Sequence, residues 1–310
     1  MLVLRSRSAN MVDSFLKYIS YEKRYSQHTV TSYQNDLRQF TDYLSNKFNV
    51  TDLAQASQLM VRSWVLSLMD EGIAAKSVNR KIASLRSYYK FMLKREAISK
   101  DPTARVKLLK TPKELPDFAD EQELSSHLDG KGFEIDGRGF DEGFKGNQQR
   151  IIMELLYGTG MRLSELLGVK ETDISRHDRT VKVLGKRNKE RIIPISASLI
   201  QVIDDYINDK NHRFEANPNG KLIVNNNGGE AYPMLIYRTV KEYLNRISSV
   251  DKKSPHVLRH TFATHLLNKG ADLNAVKDLL GHSSLAATQV YTHNSLDKLK
   301  AVFDQAHPKA

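Results

Sequence analysis

The 310-residue sequence contains no cysteine. That absence excludes a disulfide framework, a thiolate nucleophile, cysteine-ligated zinc and iron–sulfur clusters. Long apolar runs are missing too: nothing approaches the ~18 residues that would span a bilayer. The opening Met1-Leu-Val-Leu-Arg-Ser-Arg7 lacks the apolar core of a secretory signal. A soluble, cytoplasmic protein with no membrane partner is therefore expected. Neither a G-x-x-x-x-G-K-[ST] loop nor an H-E-x-x-H helix occurs, so these routes to a nucleotide or zinc site are closed. Acidic residues are the scarcer sign: 36 Asp and Glu face 47 Lys and Arg, a formal charge of +11. The excess points weakly to a polyanionic partner. With 40% hydrophobic and 27% charged residues the chain can build packed cores, and its length suggests about two domains.

The charge is uneven. Residues 1–117 hold 20 Lys or Arg against 11 Asp or Glu, whereas 118–310 hold 27 against 25. Helical spacing recurs through the first third. Val12, Phe15, Leu16 and Ile19 mark one helix; a second follows the candidate N-cap Ser26 and carries Tyr33, Leu37, Phe40 and Leu44. A third spans about 56–69 and ends at Gly72, a natural left-handed terminator. The fourth, about 75–94, buries Val78, Ile82, Leu85, Tyr89 and Met92. Its other face shows Lys76, Arg80, Lys81, Arg86 and Lys90, and no acid occurs between Lys76 and Arg95. A solvated face would normally intersperse acids for i,i+4 pairing. This face is instead expected to lie against phosphates. Residues 100–116, with three prolines and the cations Arg105, Lys107, Lys110 and Lys113, read as a basic extended linker. The boundary is placed near 117.

From 118 the pattern mixes helices with a few strands. The six glycines between Gly130 and Gly146 read as a loop, followed by a buried helix over 150–157. That helix breaks at Gly158-Thr-Gly160 and resumes at Arg162. Strands are predicted at 180–184, 191–195 and 222–225, and helices over 199–207, 236–247, 255–267, 272–280, 284–291 and 295–304. The fold class is mainly α with a small antiparallel sheet.

Four segments could carry chemistry. In Ser254-Pro-His-Val-Leu-Arg259, Ser254 is a candidate N-cap and Pro255 suits the first helical position. His256 and Arg259 stand at i and i+3, where an imidazole and a guanidinium would suit a phosphate. One surface Arg and one capping His is the bland alternative. His256, His260 and His265 point in different directions on a helix, which disfavours zinc. In Leu279-Leu-Gly-His282, His282 follows a helix-ending glycine, and Tyr291 comes nine residues later. Tyrosine needs nearby cations or a base to act as a nucleophile. In Gly158-Thr-Gly-Met-Arg-Leu-Ser-Glu165, Arg162 follows a glycine break, and Glu165 could hold its guanidinium. The hairpin from Lys182 to Arg191 sets Lys182, Lys186, Arg187, Lys189 and Arg191 against one acid. That suggests either a finger reaching along a nucleic acid or a solvated turn.

These segments, in this order, resemble the tyrosine recombinase (phage integrase) family, from about residue 10 to just beyond Tyr291. Ser26-x-x-Thr29-x-x-x-Tyr33-x-x-Asp36-Leu37-x-x-Phe40 is similar to the family's helical DNA-binding domain. In length and C-terminal motifs the chain is most similar to the Xer-type recombinases. The resemblance implies a SAM-like four-helix bundle over 1–117 and a mixed α+β catalytic domain over 118–310. It implies that Tyr291 attacks the scissile phosphate to leave a 3′-phosphotyrosyl link and a free 5′-hydroxyl. Arg162, Arg259 and His282 would grip the non-bridging oxygens; Lys186 would protonate the leaving oxygen; His256 would assist the tyrosine; Glu165 would orient Arg162. Lys76, Arg80, Lys81, Arg86, Lys90, Arg187 and Lys189 complete the expected DNA contacts. No cofactor and no metal are implied. The partners implied are a double-stranded recombination site and further protomers, as a tetramer that could include a paralogue. Resolution of replicon dimers is the favoured role. An integrase of a mobile element, a non-catalytic DNA-binding or architectural protein, and a topoisomerase-like enzyme are the alternatives.

Two features depart from the family pattern. The stretch 130–146 looks like an insertion. Arg187 stands where many relatives have glycine, and Lys189 is a second candidate acid. The tail after Tyr291 (Leu296, Leu299, Val302, Phe303) would, by the resemblance, dock on a neighbouring protomer.

Overall fold

The computed structural model describes residues 11–111, 119–120, 124, 127–128, 140–185, 189–214, 220–247, 253–281 and 293–306, the side chains of 293–299 excepted. The chain falls into two compact units, Met1–Glu114 and Leu115–Ala310.

The first unit is helical. Helix α1 (11–17) runs into a π-helical turn at Tyr18–Glu22. Helix α2 (Gln27–Phe48) begins where the Ser26 hydroxyl accepts the Thr29 N–H at 3.3 Å, which satisfies an orphan donor. Ser57 caps α3 (Gln58–Asp70) in the same way, through the Met60 N–H at 3.3 Å. Gly72, at φ +75°, turns the chain out of α3, and α4 spans Ala75–Lys94. Phe15, Leu37, Phe40, Trp64, Ile82, Leu85, Tyr88 and Tyr89 fill the space between the helices. Each such side chain contributes roughly 1.5–3 kcal/mol by leaving water.

The basic face of α4 is only partly free. Lys81 is buried and bonds the Asp36 carboxylate at 3.1 Å, with Gln39 as its second partner. Arg80 forks onto the same carboxylate, and the Ser84 hydroxyl joins it at 2.8 Å. Asp36 is buried, so its charge requires these partners. Arg86 donates to the Val106 carbonyl. Of the five cations expected to meet phosphate, Lys81 is therefore withdrawn into the core, and Arg80 and Arg86 hold the unit's own groups. Lys76 and Lys90 stay exposed. The start of the linker is likewise held down. The Asn79 amide bonds both the N–H (2.8 Å) and the carbonyl (2.9 Å) of Leu109, and Val106 is buried.

The second unit is built around α5 (Gly143–Thr159), whose residues from Ile151 to Thr159 are all buried. It packs against α7 (Ala197–Arg213), α8 (Pro233–Ile247) and α9 (Pro255–Asn268). A short α6 (Leu163–Gly168) leads to a sheet in the order β1 (Ile174–Ser175), β2 (Thr180–Leu184), β3 (Glu190–Pro194). The sheet is antiparallel, with Val181 opposite Ile193 and Val183 opposite Arg191. Helices α10 (Leu273–Leu280) and α11 (His293–Ala306) complete the unit.

Several expectations change. Residues 130–139 of the glycine-rich stretch lie outside the described residues, but Gly143 and Gly146 belong to the first turns of α5. A Cβ on Gly146 would stand 1.4 Å from the Asp141 carbonyl oxygen, so glycine serves close packing there. In place of a strand at 222–225 there are isolated bridges at Lys221 (to Lys170) and Val224 (to Glu230). Ser254 makes no side-chain capping bond; Pro255 occupies the first turn, where a missing N–H costs nothing. Helix α11 packs on α9, α10 and β3 of its own unit, with Phe303 and Ala306 buried in its core. The tail helix of a single chain thus rests on its own unit through Phe303 and Ala306. The helix expected over 284–291 lies outside the described residues. Among the described residues, no helix is long and apolar enough to cross a membrane.

Candidate active site

Helix α5 ends at Gly160, whose left-handed φ of +59° and missing side chain let Phe262 of α9 press against it; a Cβ would lie 2.4 Å from the ring. The chain then turns into Arg162, the N-cap of α6. Glu165, in the first turn, reaches back to accept the Arg162 N–H at 2.7 Å. The same carboxylate accepts the Arg162 guanidinium at 2.8 Å. The i,i+3 pair read from the sequence is therefore formed, and through both backbone and side chain.

Arg259 comes from the second turn of α9 and is buried. Its guanidinium donates to the Gly160 carbonyl and to the Leu280 carbonyl, each at 2.6 Å. Arg162 donates to the next carbonyl, Gly281, at 3.4 Å. Two arginines separated by 97 positions in sequence thus meet at the turn that immediately precedes His282.

A third arginine completes the cluster. Arg191 of β3 is buried and forks onto Glu165, at 2.7 Å to Oε1 and 2.9 Å to Oε2. Its Nε donates to the Leu279 carbonyl at 2.9 Å. The carbonyls of 279, 280 and 281 therefore accept from Arg191, Arg259 and Arg162 respectively. The hairpin reading counted Arg191 among outward cations. Instead it shares strand parity with the core residue Ile193, and period-two alternation was the signal that could have placed it inward.

Three guanidiniums gather near one carboxylate, which bonds two of them, so the cluster is electropositive. Burial, then the neighbouring Arg162 charge, pulls Arg259 down to about 10, with Arg191 acting in the same direction and Glu165 against it. Burial pushes Glu165 up, but the hydrogen bonds and charge of Arg191, with the bonds from Arg162, outweigh it and hold the carboxyl below its usual value. A phosphodiester anion would supply charge that this group of cations lacks.

His256 is exposed on the otherwise buried first turn of α9, one turn before Arg259. Lys189 is exposed at the base of the hairpin, whose mouth is closed by the Gly185 N–H bonding the Lys189 carbonyl at 2.7 Å. Lys186, Arg187, His282 and Tyr291 lie outside the described residues. His265 is buried between the Tyr157 hydroxyl (2.9 Å) and the Ala119 carbonyl (3.1 Å). Among the described residues, no group of three or more metal-ligating side chains is gathered.

Comparison with known proteins gives a family. The phage integrase family profile matches residues 141–297, and the profile of the phage integrase N-terminal SAM-like domain matches 12–96. Tyrosine recombinase XerC of Chlorobaculum parvum is 34% identical, over 96% of this chain and 94% of the relative. Tyrosine recombinase XerD of Staphylococcus haemolyticus is 35% identical, over 97% and 99%. In solved structures the fold is similar to that of the Tn1549 transposon integrase in complex with transposon right end DNA. That match has a TM-score of 0.69 at 20% identity, over 94% of this chain and 98% of the other. It is also similar to XerH recombinase bound to difH substrate, with a TM-score of 0.66 at 20% identity, over 95% and 82%. With relatives of this identity along nearly its whole length and the two profiles in their order, the chain belongs to the phage integrase family of tyrosine recombinases.

Proposed function

We propose that this chain is a Xer-type site-specific recombinase that cuts and rejoins DNA through a phosphotyrosine, and that it resolves dimers of circular replicons in the cytoplasm. The observation that carries the reading is the meeting of Arg162 and Arg259 on successive carbonyls, with Glu165 bonded to Arg162.

The Tyr291 oxygen attacks the scissile phosphorus, and the bond from phosphorus to the 5′-oxygen breaks. The phenolic proton leaves with help from His256, and Lys186 delivers a proton to the 5′-oxygen. Arg162 and Arg259, with His282, stabilise the non-bridging oxygens as their charge grows. Ester chemistry is conserved, so the 5′-hydroxyl of a second strand can attack the phosphotyrosine and restore the backbone. Residues 1–117 hold the duplex through exposed cations, Lys76 and Lys90 among them. Exchange takes place in a tetramer on two double-stranded sites, made of this chain alone or with a paralogue. The XerC and XerD names of the relatives support this role.

The test is covalent trapping. Wild type incubated with a nicked suicide substrate bearing its site is expected to give a protein–DNA adduct, and Tyr291→Phe none. Binding without an adduct would refute the enzyme reading; an adduct with Tyr291→Phe would refute the nucleophile. Lys186→Ala should be slow on ordinary DNA and recover with a 5′-thio leaving group, which needs no strong acid. Failure to recover would transfer that role, with Lys189 the next candidate.

A further inference from the structure

We propose that Arg191 is a positioning residue for strand cleavage: it fixes the Glu165 carboxylate that orients Arg162, and it ties the β2–β3 hairpin to the turn before His282. The inference rests on the recombinase reading above.

The geometry separates Arg191 from the phosphate-gripping pair. Its two terminal nitrogens take one oxygen each of Glu165, and its Nε takes the Leu279 carbonyl. The side chain is 5% exposed, against 30% for Arg162. Arg259 is also buried, but its terminal nitrogens meet only neutral carbonyls; those of Arg191 are matched by a carboxylate, which leaves it the least to offer an anionic substrate. What it offers is a second hold on the carboxylate. Without it, Glu165 would be bonded only by Arg162, the residue it is meant to orient, and the pair could swing together. With it, the carboxylate is clamped by a fork from a different element, and Arg162 is aimed by a group that cannot follow it.

The packing around the fork is equally close. A Cβ on Gly185, the first residue of the hairpin loop, would stand 3.3 Å from Glu165 Oε1 and 3.5 Å from an Arg191 nitrogen. A Cβ on Gly281 would meet Arg191 Cδ at 3.2 Å. Both ends of the arrangement, the loop that leads to Lys186 and the turn that leads to His282, thus rest against one side chain. A buried ion pair is a poor means of adding stability, because desolvation cancels most of its attraction, and a well-packed apolar pair would serve a core as well. The value of this one lies in direction: misplacing a reacting group by about 1 Å costs roughly a hundredfold in rate.

The experiment compares Arg191→Met, Arg191→Lys and wild type in single-turnover adduct formation, with site binding measured alongside. Each protein is assayed on a phosphodiester suicide substrate and on one whose scissile phosphate is a methylphosphonate. Arg191→Met is expected to bind within about twofold of wild type and to cleave the phosphodiester between ten and a hundred times more slowly, roughly the range for a displaced group. The neutral methylphosphonate asks less of Arg162, so its loss should be severalfold smaller. Arg191→Lys keeps the charge but cannot fork, and should lose at least severalfold on the phosphodiester; it decides the matter if Arg191→Met does not fold. Combining Arg191→Lys with Glu165→Gln should be no slower than Glu165→Gln alone, because both act through one carboxylate. Wild-type rates in Arg191→Lys, equal losses on both substrates, or an additive double variant would overturn the proposal. Absence of a Tyr291-dependent adduct in wild type would instead overturn the recombinase reading, and this inference with it.

Discussion

Glu165→Gln tests the electrostatics of the cluster without any DNA. The carboxylate is buried and accepts four bonds, two from Arg162 and two from Arg191. Glutamine keeps the size, retains one acceptor oxygen and turns the other into a donor aimed at guanidinium. Breaking one side of a buried pair costs about 3–5 kcal/mol, because the remaining charges stay buried without their counterion. In a unit of this size each kcal/mol moves the melting temperature by about 2–4 °C. The transition of the second unit should therefore fall by about 6–20 °C at pH 7, followed by calorimetry. The pH dependence has a definite sign. The Glu165 pKa is lowered in the folded chain, so its contribution is fully present above the ordinary glutamate value. It is lost as pH falls through the lowered one, and the gap between wild type and variant should close in the same direction. Sulfate should also raise the melting temperature of the variant more than that of wild type, by supplying the missing negative charge. A fall of under 2 °C at pH 7 with no extra response to sulfate would mean that Glu165 is not the counterion of these arginines.

Lys90→Ala should weaken DNA binding and reduce the slope of log affinity against log salt by about 0.9, the value for one lost phosphate contact. Lys81→Met should leave that slope unchanged and instead lower the melting temperature of the first unit, since Lys81 holds the buried Asp36. Gly146→Ala should destabilise the second unit by at least about 1–3 kcal/mol, the usual cost of overpacking, because its Cβ would overlap the Asp141 carbonyl. Asn79→Ala should speed hydrogen exchange at the Leu109 amide, which donates to the Asn79 side chain at 2.8 Å, with little change elsewhere in the unit.

Features decided by neighbouring residues were legible in the sequence. Ser26 and Gly72 mark helix ends through a local hydrogen bond and a local φ, and both do so in the structure. Arg162 and Glu165 pair across one helical turn, which spacing alone can suggest. What depends on distant partners was not. Nothing near Lys81 announces Asp36, 45 positions away, so a cation in the core reads like a cation on a surface. Gly146 reads as loop, since its reason for being glycine is an approach by Asp141 that only the folded chain contains. Arg191 was hidden by its company: among the cations of a hairpin its inward parity was the single distinguishing mark. The meeting of Arg162 with Arg259 entered through resemblance, because no local pattern joins a residue after α5 to one on α9.

The three carbonyls at the end of α10 give the site a placeholder. A helix ends with unpaired carbonyl oxygens and a partial negative charge. Here the last of them and the two that flank it accept from Arg191, Arg259 and Arg162. The guanidiniums are therefore held in fixed positions close together, against their mutual repulsion, rather than left to turn out into solvent. An arriving phosphate would engage N–H groups the carbonyls leave over, and little rearrangement would be required of the cations. The cost of assembling like charges is met during folding, by peptide dipoles, before any DNA is bound.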